Sequence, residues 1–103
     1  MIRHCVFVKF RSDVSSDERA EIYAGLVALV GQIDGLISAE FGPNVSPEGL
    51  GQGLNDGFIM DLTDEAARDR YLEHPAHKAA GSRLVAALEG GTDGLIVFDM
   101  KLG

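Results

Sequence analysis

The sequence has few of the residues that disulfide scaffolds, nucleic-acid binders and membrane proteins require. Its 103 residues include one cysteine, which permits no internal disulfide. Nine lysines and arginines stand against 16 aspartates and glutamates, and the resulting net charge of −7 disfavours binding to phosphate backbones or anionic membranes. No apolar run approaches the length of a membrane span. We therefore expect no nucleic acid and no membrane among its partners. Because no signal sequence precedes the first strand, we also expect a cytoplasmic location.

The length and apolar content limit the architecture to one domain. A chain of 103 residues, 46% of them hydrophobic, can build one compact domain with one core, which we place at residues 1–103. A domain this small gains stability by burying a further apolar surface against a second copy. We therefore expect it to oligomerise.

Residues 2–11 alternate between two sets of side chains, a pattern that predicts a β-strand. One face carries Ile2, His4, Val6, Val8 and Phe10, and the other carries Arg3, Cys5, Phe7, Lys9 and Arg11. Because Cys5 and Phe7 are themselves apolar, we expect the second face to be covered too, by helices or by a partner subunit.

The next segment reads as a helix, a strand and a loop. Ser15 and Glu18 have the spacing of a capping box, so a helix begins there, and an apolar stripe at helical spacing runs to Asp34-Gly35. Residues 36–42 predict a second strand. Residues 43–55, rich in glycine and proline, predict a long mobile loop.

The second half of the chain predicts a strand, a broken helix and a last strand. Residues 58–62 form the strand, after which Thr63 or Asp64 caps a helix. Pro75 has no N–H and clashes with the preceding turn, so the helical region breaks and restarts there. Gly90-Gly91 end it. The strand at 95–102 places Ile96, Phe98, Met100 and Leu102 on one face and Leu95, Val97, Asp99 and Lys101 on the other.

The order β-α-β-β-α-β predicts an α+β fold of the ferredoxin-like type, with an antiparallel sheet and both helical regions on one face. The other face is left bare. It should carry Cys5, Phe7, Ile96, Phe98 and Met100, which are too apolar to remain in water. We therefore expect a homodimer that forms through this face of the sheet.

Three segments of the chain resemble the stress-responsive A/B-barrel (Dabb) family: His4 to Phe10, Tyr71 to His77, and Phe98 to Met100. The run His74-Pro75-Ala76-His77 is the most specific, because it lies between the two parts of the second helical region. The resemblance covers nearly the whole chain. It implies that two ferredoxin-like monomers form a dimeric α/β barrel.

The resemblance also implies a site. One plant member of the family closes a linear polyketide by an aldol condensation without metal or cofactor. Carried over, its acid/base pair falls on Tyr71 and His77, and His4 and Asp99 are supporting residues of the pocket. The implied ligand is a small hydrophobic carbonyl or aromatic compound. Many relatives have a histidine before the third strand, where this chain has Leu54-Asn55-Asp56-Gly57.

These residues suggest acid/base chemistry of cyclase, lyase or isomerase type. His77, held by a carboxylate such as Asp99, could take a proton from a carbon acid, and Tyr71 could donate a hydrogen bond to the enolate. Two alternatives are a non-catalytic dimeric ligand-binding or stress-associated protein and a cofactor-independent oxygenase of the dimeric-barrel superfamily. We interpret His74 as a cap of the restarted helix, and the break at Pro75 argues against a metal site on His74 and His77.

Overall fold

A computed structural model describes all 103 residues and contains four strands and three α-helices. In chain order these are β1 (Ile2–Val8), α1 (Ser16–Val27), β2 (Leu36–Pro43), β3 (Asp56–Leu62), α2 (Glu65–Glu73), α3 (Pro75–Ala86) and β4 (Leu95–Lys101), with a short 3-10 turn at Gly91–Gly94 before β4. The ferredoxin-like α+β fold is confirmed, and α2 and α3 are the two parts of the second helical region. No helix is long and apolar enough to cross a membrane.

The four strands form one antiparallel sheet in the order β2-β3-β1-β4. In the register of β1 with β4, His4 lies opposite Asp99 and Cys5 lies opposite Phe98. Residues that lie opposite each other point to the same face of a sheet. The predicted division of β1 and β4 between two faces is therefore confirmed.

Helix α1 begins as predicted but ends early. The Ser15 hydroxyl accepts a hydrogen bond from the Glu18 N–H at 3.1 Å, so the capping interaction forms. The regular helix ends at Val27, not at Asp34, because the next backbone bonds reach back only three residues, from Leu29 to Leu26 and from Val30 to Val27. The apolar stripe nevertheless continues into the core on these turns, where Leu29 is 2% exposed.

His74 separates α2 from α3 and caps the second of them. A residue that precedes proline is driven to extended backbone, and His74 has φ −67° and ψ 132°. Its Nδ1 accepts a hydrogen bond from the Ala76 N–H at 3.1 Å. The predicted helix break and the capping role of His74 are both present in the structure.

The two faces of the sheet differ in burial. On the face covered by the helices, Val6, Val8, Met60 and Leu62 are almost completely buried. On the opposite face, which we call the outer face, Phe98 is 56% exposed, Ile96 49%, Met100 44% and Phe7 40%. Cys5 is on the outer face as well, but it is only 7% exposed and lies between Ile59 and Phe98 of the adjoining strands. The rest of the outer face leaves large apolar side chains in water.

Candidate functional site

A cavity of about 780 Å³ lies between the helices and the sheet, within the size range of small-molecule sites. Its floor consists of residues that are buried, among them Val6, Leu26, Phe58 and Leu84. Three of the four residues that the sequence proposed for a site also line it: His4, Tyr71 and His77. Asp99 does not line it. Ten of the fifteen lining residues are hydrophobic, so the few polar groups decide the chemistry of the cavity.

Tyr71 and His77 stand next to each other on the cavity wall. Tyr71 comes from the last turn of α2 and His77 from the first turn of α3, and their ring centroids are 4.2 Å apart. Tyr71 is 1% exposed, and its hydroxyl has no hydrogen-bond partner in the protein. Burial raises the pKa of this phenol. At neutral pH Tyr71 is therefore a protonated donor without a partner, in a residue that lines the cavity.

The orientation of His77 leaves one ring nitrogen free. Its Nδ1 lies 3.3 Å from the carbonyl oxygen of Leu72, and because a carbonyl only accepts, Nδ1 must donate. Burial lowers the pKa of His77, and the bond to Leu72 opposes that effect only in part. The ring is therefore neutral at neutral pH, with an unprotonated Nε2 that can act as a base.

Gly81 keeps the space beside this nitrogen open. A Cβ atom at position 81 would stand 3.9 Å from the His77 Nε2, so any longer side chain pointing the same way would meet the base. Gly81 itself lines the cavity. A glycine inside a helix weakens it, and here the lack of a side chain leaves room for a ligand.

Asp99 pairs with His4 and not with His77, which corrects the pairing expected from the sequence. The His4 Nδ1 is 2.6 Å from one Asp99 oxygen, and the Arg68 guanidinium donates to the other oxygen at 3.0 Å. The physical reason is the register of β1 and β4, which puts His4 and Asp99 directly opposite each other. Burial disfavours the ionised Asp99, yet the hydrogen bonds from His4 and Arg68 outweigh it and hold the pKa of Asp99 below its ordinary value.

The His4 ring connects this pair to the cavity. It is 4% exposed and packs edge-on against Tyr71, with ring centroids 5.6 Å apart. Because the ionised Asp99 accepts from Nδ1, the His4 Nε2 is left for a ligand. The result is a row of four polar side chains, Asp99, His4, Tyr71 and His77, of which the last three reach the cavity. Such a row can position a carbonyl compound and move a proton.

Sequence reasoning missed Arg68, Gly81 and Lys78, which complete this region. Arg68 gives no signal in the sequence, because its contact with Asp99 depends on how α2 crosses β4. Gly81 could have been noticed as a glycine within a predicted helix. Lys78, which lines the cavity, directly follows His77 and could have been found from that neighbour. No group of three or more histidine, cysteine, aspartate or glutamate side chains is arranged to hold a metal ion.

A second cavity of about 640 Å³ opens on the outer face, beneath the loop between β2 and β3. It contains none of the four predicted site residues. Three exposed apolar residues of the outer face line it, Phe7, Ile59 and Ile96. It is therefore part of the uncovered surface of the sheet.

Comparison with known proteins assigns the chain to a family. The model of the family described as Stress responsive A/B Barrel Domain, or Dabb, matches residues 2–102. The chain belongs to the stress-responsive A/B-barrel family. It is 28% identical over 100 residues to the stress-response A/B barrel domain-containing protein HS1 of Arabidopsis thaliana, a match that covers 97% of this chain and 88% of that protein.

Solved structures agree with the A/B-barrel assignment. A dimeric ferredoxin-like protein of unknown function from Jannaschia sp. CCS1 superimposes with a TM-score of 0.90 at 34% identity, and the match covers 98% of each chain. A hydroxynitrile lyase from Passiflora edulis superimposes with a TM-score of 0.87 at 17% identity, over 99% of this chain and 93% of that one. At that identity the likeness to the lyase shows the ferredoxin-like fold of the chain alone.

Proposed function

We propose that this A/B-barrel domain is a homodimeric, cofactor-free enzyme that performs acid/base chemistry on a small hydrophobic carbonyl compound. Tyr71 and His77 are its acid/base pair. The observation that carries the proposal is their arrangement: an unpartnered hydroxyl and a free ring nitrogen share one cavity wall, with ring centroids 4.2 Å apart. The reaction is a cyclisation, an elimination or an isomerisation, all of which begin by removing a proton next to a carbonyl.

The proposed first step is a proton transfer. The His77 Nε2 takes a proton from the carbon beside the carbonyl, and the electron pair of that C–H bond moves onto the carbonyl oxygen to form an enolate. The Tyr71 hydroxyl donates a hydrogen bond to that oxygen, which counts for more in an apolar cavity than in water. His77 then returns its proton to carbon in an isomerisation, or to the oxygen formed when the enolate attacks a second carbonyl in a cyclisation. In an elimination the enolate breaks the bond from its β-carbon to the leaving group, and His77 gives its proton to that group. No net charge or electron is gained.

His4 and Asp99 support this arrangement as residues of the pocket. The Asp99 carboxylate, fixed by Arg68 at 3.0 Å, orients the His4 ring through Nδ1 at 2.6 Å. The contact between Asp99 and the His4 Nδ1 fixes the position of the Nδ1 proton, and the His4 ring packs against Tyr71. In the proposal, the His4 Nε2 holds a polar group of the ligand while His77 moves the proton.

The homodimer in the proposal forms through the outer face. Four large apolar side chains there are at least 40% exposed, and β1 and β4, which carry them, are neighbours in the sheet. Such a continuous apolar surface marks an interaction site. The similar protein from Jannaschia is described as dimeric, which supports a second copy as the partner.

The test is hydrogen exchange of a carbonyl probe in heavy water. Proton NMR of para-tert-butylacetophenone measures how fast the acidic protons of its acetyl methyl group, next to the carbonyl, are replaced by deuterium. We expect the protein to accelerate the exchange. The His77→Ala substitution should lower the protein-catalysed exchange rate by about 10²-fold or more, and Tyr71→Phe should lower it by about 10²-fold. Equal rates with wild type and His77→Ala would contradict the proposal.

A matched control is available three residues earlier. His74 does not line the cavity, and asparagine can replace it as a helix cap, so His74→Asn should leave the exchange rate unchanged. If the probe binds in the cavity and the wild type gives no acceleration, the proposed chemistry is wrong and the domain is a ligand-binding protein.

A further inference from the structure

The charge of the cavity differs from the charge of the chain. The chain carries a net charge of −7, yet none of the fifteen lining residues is an aspartate or a glutamate. Its polar groups are the two histidines, Tyr71, Ser82 and one lysine, Lys78. A small-molecule cavity that is lined by a lysine and by no carboxylate favours anionic ligands over cationic ones.

The lysine lies where the cavity meets water. The floor residues are buried, whereas Lys78, Ser82 and Val97 on the rim are exposed. Lys78 and Ser82 are four residues apart on α3 and so lie on the same side of that helix. A ligand that fills the cavity therefore meets apolar side chains with its body and a cation with its outer end.

The present partner of Lys78 leaves it available to a ligand. Its Nζ is 3.6 Å from a Glu73 oxygen, and the two side chains are 62% and 83% exposed. An exposed pair of this kind contributes little stability and is easily exchanged. Glu73 does not line the cavity. The Asp99 carboxylate, which contacts the lining residue His4, is also bound by Arg68.

We propose that the cavity takes small amphipathic organic anions, with an aromatic or branched aliphatic body on the floor and a carboxylate at Lys78. This inference rests on the proposed function in one respect, namely that this cavity is the ligand site. It adds the class of ligand. If the proposed reaction takes place, the substrate is an oxo acid with an apolar body, and its carbonyl lies beside Tyr71 and His77.

Three probes that share a tert-butylphenyl body and differ in charge test the class. They are para-tert-butylbenzoate, its neutral amide and para-tert-butylbenzylamine, which is cationic at neutral pH. Chemical-shift titration of the Val6 and Leu84 methyl groups gives a Kd for each. We expect the carboxylate to bind about three- to fivefold more tightly than the amide, the range of one exposed ion pair, and the amine to bind least well.

Removing the charge of Lys78 and removing the charge of Glu73 should change the affinity for the benzoate in opposite directions. Lys78→Gln should remove the preference for the carboxylate and leave the amide unchanged, while Lys78→Arg should keep the preference. Glu73→Gln removes the competing carboxylate and should tighten binding of the benzoate about twofold. Lys101→Gln is the matched control, because Lys101 is an exposed lysine paired with Glu65 at 2.9 Å outside the cavity.

Equal affinity for the three probes would overturn the inference, as would equal losses in Lys78→Gln and Lys101→Gln. These outcomes differ from a failure of the proposed function. If the carboxylate preference depends on Lys78 but hydrogen exchange does not depend on His77, the ligand class holds and the chemistry is wrong. If exchange depends on His77 but the probes bind equally, the chemistry holds and the ligand class is wrong.

Discussion

The two faces of the sheet are built from alternate residues of the same strands, yet they present different surfaces. The helix face buries Val6 and Met60 and holds the cavity, whereas the outer face leaves Phe98 56% and Ile96 49% exposed. The helices cover most apolar residues of the helix face, although Val97 at the cavity rim is 52% exposed, and they do not cover the outer face. An apolar alternation on both faces of a strand thus indicates that one face is covered within the protomer and that the other is available to a partner.

Each face also carries one hydrogen-bonded pair of polar side chains on opposed residues of neighbouring strands. On the outer face Arg3 makes a two-point contact with Asp61, at 2.9 and 3.2 Å, and the Arg3 side chain is 40% exposed. On the helix face His4 pairs with Asp99 at 2.6 Å, and the His4 side chain is 6% exposed. The first pair is at the surface. The second is buried against the cavity and orients a group that faces it.

The largest expected difference between the faces concerns two methionines. Met60, on the helix face, is 0% exposed and Met100, on the outer face, is 44% exposed. Met60→Ala should lower the free energy of unfolding by about 2–5 kcal/mol, because it leaves a cavity in a closed core. Met100→Ala should mainly weaken self-association. Urea unfolding at two protein concentrations separates the two effects. If both variants lost the same free energy of unfolding at both concentrations, the assignment of Met60 to the core and Met100 to the interface would be contradicted.

A charge placed on the outer face should break the dimer. Phe98→Asp puts a carboxylate in the proposed dimer interface and should raise the dissociation constant of the dimer by about 100-fold or more, measured by analytical ultracentrifugation. Val27→Asp is the control. Val27 lies at the end of α1, not on the outer face of the sheet, and is 38% exposed, so the same added charge there should leave the subunit number unchanged.

A smaller, pH-dependent effect is expected on the helix face. The folded-state pKa of Asp99 is below its ordinary value of 3.8, so its bonds stabilise the fold above that value and the contribution is lost as pH falls through the folded pKa. Asp99→Asn should therefore lower the free energy of unfolding by about 1–2 kcal/mol at neutral pH and by less in acid. Urea unfolding at several pH values measures this.

Asp69→Asn serves as the control for this prediction. Asp69 binds the same guanidinium of Arg68 at 2.9 Å, but its side chain is 68% exposed. Its loss should change stability by only a few tenths of a kcal/mol, about the value of an exposed pair. A pH-independent loss in Asp99→Asn would show that the ionisation of Asp99 does not contribute.

Local patterns predicted most of the fold. The alternation in β1 and β4, the capping by Ser15 and the helix restart at Pro75 depend on neighbours within a few residues, and all are present in the structure. The early end of α1 was missed because the apolar stripe continues after regular helical bonding stops at Val27. Periodicity reports which side chains are buried and not which hydrogen bonds form.

The site was predicted less completely, because its contacts join residues far apart in the sequence. The resemblance placed His4, Tyr71 and His77, and these three line one cavity. It did not give the partner of Asp99, which the register of two strands sets at His4, 95 residues away. Arg68 was not found at all, since the packing of α2 over β4 determines its contact.

Our central claim is that the helix face of the sheet binds the ligand and the outer face forms the dimer. Methyl NMR of the native protein tests this claim most directly, because both faces carry methyl groups. Our account predicts that para-tert-butylbenzoate shifts the signals of Val6 and Leu84 and leaves Ile96 and Met100 unchanged. Dilution to the monomer should shift the signals of Ile96 and Met100 and leave those of Val6 and Leu84 unchanged. Shifts of Ile96 and Met100 on adding the probe, or of Val6 and Leu84 on dilution, would contradict it.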